Sequence, residues 1–132
     1  MGLIYLDSCL LIYVVENRPP WASAVLHALE NEIEADFVIS PLVMAECLVG
    51  PIRRSDVALV AKYRRYFAGL RTAPISEAAF LAAATLRARH GLKLPDALHL
   101  ACAEEHGCDA LWTNDNRLSA AGSIAVALRG VS

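Results

Sequence analysis

Leu3-Ile4-Tyr5-Leu6-Asp7-Ser8 decides the fold class. Four apolar residues in a row, without polar alternation, describe a strand buried on both faces, and the acid and hydroxyl that follow end it abruptly. The construction recurs twice downstream. Phe37-Val38-Ile39 runs into Ser40-Pro41, and Asp109-Ala110-Leu111-Trp112-Thr113 runs into Asn114-Asp115. Thr72 to Ile75 and Ile124 to Val126 are weaker strand candidates.

Helical signals fill the intervals. Cys9 to Glu16 stays apolar until Asn17-Arg18-Pro19-Pro20, which reads as a short helix capped by Ser8. From Trp21 to Ile33, the residues Trp21, Val25, Leu29 and Ile33 share one helical face. Ser40-Pro41 is a cap and first-turn pair for a helix expected to end near Gly50-Pro51. Asp56 to Phe67 is amphipathic, Ser76 caps an Ala-rich helix that stops at Gly91, and Leu94 to His106 stops at Gly107. A helical turn is expected around Leu118. Short buried strands separated by helices predict an α/β fold: a small, mostly parallel sheet covered on both faces.

A chain of 132 residues suits one domain, expected to span positions 1–132. An apolar fraction of 56% excludes a disordered chain, and a charged fraction of only 20% predicts a surface that needs a partner, such as a second copy of the chain. The densest apolar run, Cys9 to Val15, falls well short of the about 18 residues that a membrane-spanning helix requires, and no basic segment precedes it as in a secretory signal. Cys9, Cys47, Cys102 and Cys108 show no C-x-x-C spacing, so thiols in a cytoplasmic protein are expected. The net charge of −2 excludes a strongly basic nucleic-acid binder. The cations are clustered nonetheless. Arg53, Arg54, Lys62, Arg64, Arg65 and Arg71 form one group, and Arg87, Arg89 and Lys93 another. Each group reads either as a charged helical surface or as a set of phosphate contacts.

The acids fall at informative places. Asp7 and Asp115 stand at strand ends, where open parallel sheets place their ligands. Glu46 sits within Leu42-Val43-Met44-Ala45-Glu46-Cys47-Leu48-Val49, surroundings that make a lone carboxylate costly unless it is paired or near a cation. Asp96 follows Pro95 at a helix start, where an acid also complements the helix dipole. Carboxylates gathered in one cleft stay ionised together when a cation is present, and hard ions such as Mg²⁺ and Mn²⁺ take oxygen ligands.

Ile4-Tyr5-Leu6-Asp7-Ser8, Ser40 to Glu46, Leu94-Pro95-Asp96-Ala97-Leu98-His99-Leu100-Ala101 and Leu111-Trp112-Thr113-Asn114-Asp115, in this order, resemble the PIN-domain superfamily, and within it the VapC toxins of bacterial toxin–antitoxin pairs. The resemblance covers essentially the whole chain. It implies a three-layer α/β/α sandwich and a Mg²⁺- or Mn²⁺-dependent endoribonuclease. It further implies homodimers and a small antitoxin protein that blocks the acidic site. Carried over by position, it makes Asp7, Glu46, Asp96 and Asp115 the catalytic, metal-holding acids. Thr113 becomes the hydroxyl residue beside the last acid, and Ser8 the small polar residue after the first. Cys9 departs from the pattern, because many relatives carry a second hydroxyl residue there. On this reading Arg53, Arg54, Arg64, Arg65, Arg87, Arg89 and Lys93 are the candidates for contacting RNA.

His99 lies three residues after Asp96 on the same helical face and is expected to pack near the site or to hold Asp96 by a hydrogen bond. His99, Cys102, His106 and Cys108 lack zinc-finger or zinc-ribbon spacing. Neither a Walker A loop nor a dinucleotide fingerprint occurs. Trp21 and Trp112 are expected in the core rather than under a base. Three rival readings use the same residues. They are a PIN-fold nuclease acting in RNA processing or on structured DNA, a non-catalytic binding module, and a phosphotransfer fold. Asp7-Ser8-Cys9 lacks the Asp-x-Asp of a haloacid-dehalogenase-type phosphatase, and the acidic pair and late lysine of a receiver domain are not evident.

Overall fold

The structure, a computed structural model, describes residues 2–32, 34–122 and 124–127. The chain runs β1 (Gly2–Leu6), α1 (Ser8–Val15), α2 (Trp21–Asn31), β2 (Ala35–Ile39), α3 (Pro41–Arg53), α4 (Val57–Ala68), β3 (Arg71–Thr72), α5 (Glu77–His90), α6 (Leu94–Glu105), β4 (Ala110–Thr113), α7 (Asn116–Ala121) and β5 (Ala125–Ala127). The strands form one sheet in the order β3-β2-β1-β4-β5, and every described pairing is parallel. Ile4 pairs with Phe37 on one side and Ala110 on the other, so β1 lies at the centre. Helices α1 to α4 pack on one another, as do α5, α6 and α7, and together with the sheet they make the expected α/β/α sandwich.

Burial explains the unalternating strands. Tyr5, Ile39 and Leu111 are fully buried, and Leu10, Val43, Leu100 and Leu118 close over them from the helices. Local chemistry sets the ends. The Ser40 hydroxyl accepts from Val43 N at 3.4 Å ahead of Pro41, Asp56 accepts from Leu59 N, and Ser76 accepts from Ala79 N. Gly91 ends α5 in the left-handed region at φ 66°, where a side chain would be strained.

Several expected boundaries need correction. The cap of α1 is Asp7, not Ser8: Asp7 has extended backbone, its carboxylate accepts from Ser8 N, and Ser8 is already helical. The strand-ending acid therefore also starts the helix, with no residue between. Helix α3 does not stop at Gly50-Pro51 but continues to Arg53. Pro51 removes only one donor near the helix end, its ring is buried, and its carbonyl still accepts from Asp56 N. Strand β3 is Arg71–Thr72 rather than Thr72 to Ile75. Helix α2 ends at Asn31, and Ile33 of its proposed stripe lies outside the described residues. No helix among the described residues is long and apolar enough to cross a membrane.

Candidate functional site

The carboxyl ends of β1 and β4 lie side by side, with Asp7 N donating to the Trp112 carbonyl at 3.0 Å. Asp7 is thereby fixed in backbone before its side chain makes any bond. Its Oδ1 accepts from Ser8 N at 2.7 Å and from the Ser8 hydroxyl at 3.4 Å, and its Oδ2 accepts from the Thr113 hydroxyl at 2.7 Å. Thr113 Oγ1 in turn accepts from Asp115 N at 3.1 Å. A fully buried threonine on β4 thus joins the first acid to the loop that carries the last. Asp115 caps α7 by accepting from Arg117 N at 2.8 Å.

Helices α3 and α6 supply the facing wall. Glu46 Oε1 lies 2.6 Å from His99 Nε2, and Asp7 Oδ1 lies 3.8 Å from the same nitrogen. One ligand-type atom from each of Asp7, Glu46 and His99 falls within 4.8 Å of the others. His99 is completely buried, and its partner is Glu46 rather than Asp96. From α6 the ring reaches across the site to α3.

Asp96 joins this group through its field. Burial, then the charges of Asp7 and Asp115, push its carboxyl above the ordinary aspartate value, with His99 opposing. Half-burial would also raise Glu46, but the His99 hydrogen bond and the His99 charge outweigh it, and the carboxyl is held below its usual range. For His99, burial acts to lower the imidazole's pKa. The Glu46 hydrogen bond and the charges of Asp7, Glu46 and Asp96 overcome it and hold the ring above its ordinary value. Four acids and one imidazole therefore share one electrostatic neighbourhood.

Tyr5 is a member that the sequence reading did not single out. Its hydroxyl lies 2.7 Å from Ser40 Oγ and 2.7 Å from His99 Nδ1, with all three residues fully buried. One signal was available. Tyr5 is two residues before Asp7 on a strand, hence on the same face, and a buried tyrosine needs a polar partner.

The basic candidates are all exposed. Two already serve the fold: Arg54 lies 3.6 Å from Glu16, and Arg87 Nε donates to the Leu92 carbonyl at 3.1 Å. Cys9 packs against the core, and burial, followed by the Asp7 charge, pushes its thiol up to about 12, so it contributes no thiolate to the site.

The chain matches the PIN-domain family profile over residues 4–123. Its fold resembles that of VapC-type toxins. A chain from a toxin–antitoxin complex of Klebsiella pneumoniae is 25% identical with a TM-score of 0.78, covering 93% of this chain and 95% of that one. VapC20 of Mycobacterium tuberculosis, a toxin that cleaves the sarcin–ricin loop, is 17% identical with a TM-score of 0.76 over 90% of this chain and 95% of that one. VapBC2 of Rickettsia felis, bound to promoter DNA, is 18% identical with a TM-score of 0.73 over 94% and 97%. At the lower identities the likeness is one of fold. No curated protein matches this chain. With the central parallel sheet, the acids at its carboxyl edge and a family match from Ile4 to position 123, the chain belongs to the PIN-domain family.

Proposed function

We propose that this protein is a metal-dependent endoribonuclease and the toxin of a toxin–antitoxin pair. One observation carries the reading: Asp7, Glu46 and His99 converge within 4.8 Å at the carboxyl edge of the sheet, inside the field of Asp96 and Asp115. The donor set fits a hard divalent cation, because its carboxylates offer oxygen and no thiol is among the converging atoms. Mg²⁺ or Mn²⁺, one ion or two, would polarise the phosphodiester and steady charge on the leaving oxygen.

The chain's own residues do the rest. Asp7, Asp96, Asp115 and Glu46 would hold the ion, directly or through water. Thr113 and Ser8 aim the two oxygens of Asp7 by donating to them. Glu46, kept ionised by His99, is available to orient the attacking water and accept its proton. Because the nucleophile is water rather than the ribose 2′ oxygen, the products should carry a 5′ phosphate and a 3′ hydroxyl. Exposed Arg53, Arg64, Arg65, Arg89 and Lys93 would guide the RNA backbone, with Arg54 and Arg87 less free to do so.

The toxin assignment draws on the Klebsiella chain, which comes from a toxin–antitoxin complex. A partner that reaches an Arg or Lys into the acids would satisfy them as a metal does and block the seat. Exposed Leu26, Val49, Ile52, Phe80 and Leu81 leave apolar surface for that partner or for a second copy in a homodimer, acting on RNA in the cytoplasm.

Cleavage of total RNA with Mg²⁺, with chelator and by Asp7→Asn, with fragment ends mapped, tests class, metal and site together. Cutting is expected only for the wild type with metal, and full activity of verified metal-free protein would sink the mechanism. Coexpression with the neighbouring small gene product should yield an inactive complex; a product that neither binds nor inhibits would remove the toxin role and leave the nuclease.

A further inference from the structure

The geometry points to Tyr5 as a positioning residue, whose hydroxyl, backed by Ser40, fixes His99 in the tautomer that donates Nε2–H to Glu46. The inference rests on the metal-site reading above and deepens it.

Counting protons gives the direction of the chain. An ionised Glu46 can only accept, so the 2.6 Å contact requires hydrogen on His99 Nε2. At pH above the raised imidazole value the ring is neutral, Nδ1 is then an acceptor, and the donor in reach is the Tyr5 hydroxyl at 2.7 Å. With its proton so used, the Tyr5 oxygen accepts from Ser40 at 2.7 Å. Ser40 Oγ accepts from Val43 N. Each link has one donor and one acceptor, in agreement with the absence, among the described residues, of any buried side-chain nitrogen or oxygen without a partner. Reversing the direction sends both Tyr5 O–H and Val43 N–H to Ser40 Oγ and leaves the serine proton without an acceptor in this network, a costly outcome for a group wholly out of water.

The tautomer has a consequence for the donor set. A nitrogen that carries hydrogen has no lone pair in the ring plane to give a cation. His99 therefore holds Glu46 and does not join Asp7 and Glu46 as a third ligand, although its distance would allow it. The site is left with oxygen donors, and Glu46 is held by one oxygen with the other unclaimed by the ring. The relay passes from the cap of α3, through the central strand, to α6 and back to α3, so one hydroxyl on β1 connects the site residues of the two helices.

The test begins with the metal-free wild type. Imidazole ¹⁵N spectra at mildly alkaline pH should show His99 as the Nε2–H tautomer, and an Nδ1–H tautomer would overturn the proposal. Tyr5→Phe keeps the ring and removes the hydroxyl. The folded variant should lose the single tautomer and bind Mn²⁺ about tenfold more weakly or worse, as is typical when an outer partner of a ligand is lost. Wild-type tautomer and Mn²⁺ affinity in folded Tyr5→Phe would overturn it equally. Should that variant fail to fold, Ser40→Ala is read in the same way, with Ser40→Thr expected to restore both signals and a failure of that rescue counting against the relay. A wild type that shows the tautomer and binds Mn²⁺ yet cuts no RNA would remove the nuclease reading and leave the role of Tyr5 standing.

Discussion

Asp7 ends β1, caps α1 and accepts three hydrogen bonds, from Ser8 N, the Ser8 hydroxyl and the Thr113 hydroxyl. A carboxylate held at that many points loses little freedom when it takes a ligand. Asp96 is placed differently: burial and its acidic neighbours raise its pKa, so its charge is a liability in the metal-free protein. Asp96→Asn keeps the shape and removes that charge. The metal-free variant should melt no lower than wild type, while cleavage in Mg²⁺ falls by about a hundredfold or more, the loss expected when several kcal/mol of transition-state stabilisation disappears. If Asp96 served only the helix dipole, the change would cost at most about 1 kcal/mol of stability and spare turnover. A thermal melt in chelator beside a cleavage rate separates the two.

Three helices depend on a second, smaller polar knot. Tyr63 of α4 donates to Glu16 at 2.5 Å, Arg18 pairs with the same carboxylate at 3.0 Å, and Arg54 approaches it at 3.6 Å from the end of α3. Burial acts to raise the Glu16 carboxyl, but the Tyr63 and Arg18 hydrogen bonds and the Arg18 and Arg54 charges together hold it below the ordinary value. The sign of the pH dependence follows. A depressed carboxyl contributes stability that is present above its unfolded pKa of about 4.3 and is lost as pH falls through the lower folded value. Glu16→Gln should therefore cost about 1.5–3 kcal/mol at neutral pH, the range for a hydrogen bond to a charged group. Below the folded value the wild type and the variant should converge. Urea unfolding across the acid range reads this directly, and a constant difference at every pH would mean that packing, not charge, holds the knot. Cleavage should be little changed, because none of the site acids takes part.

For the molecule as a whole, the four acids are a store of repulsion that a cation relieves. An ion that binds the folded chain and not the unfolded one stabilises it by about 2.7 kcal/mol at a hundred times its Kd. For a domain of this size that is a rise in Tm of roughly 10 °C. Mn²⁺ should raise the melting temperature, chelator should reverse the rise, and Asp7→Asn should abolish it. An unchanged Tm at saturating Mn²⁺ would count against a metal seat, whatever the activity.

Strand pattern, most helix caps and the order of the motifs are readable along the chain, because each depends on neighbours within a few residues. Leu3 to Leu6 has no alternation because both faces of β1 are covered, and Ser40-Pro41, Ser76 and Gly91 mark helix ends by local hydrogen bonding and backbone preference. Residue identity also allowed Asp7 and Asp115 to be put at strand ends. The tight turn at Asp7 was less legible, since two adjacent residues, Asp7 and Ser8, are both good caps and only the strand's hydrogen bonds select the first. The continuation of α3 past Pro51 depended on a buried environment for the proline ring, which no local rule encodes. The partner of His99 was beyond sequence reasoning for the same reason. Spacing on α6 pointed to Asp96, three residues away, whereas Glu46 is separated by fifty-three positions and meets His99 only when α3 and α6 close on the same edge of the sheet. Tyr5 and Ser40, thirty-five apart, and Tyr5 and His99, ninety-four apart, come together in the same way. Short-range chemistry wrote the elements and supplied the acids; the long-range packing of two helices across a central strand decided which side chain holds which.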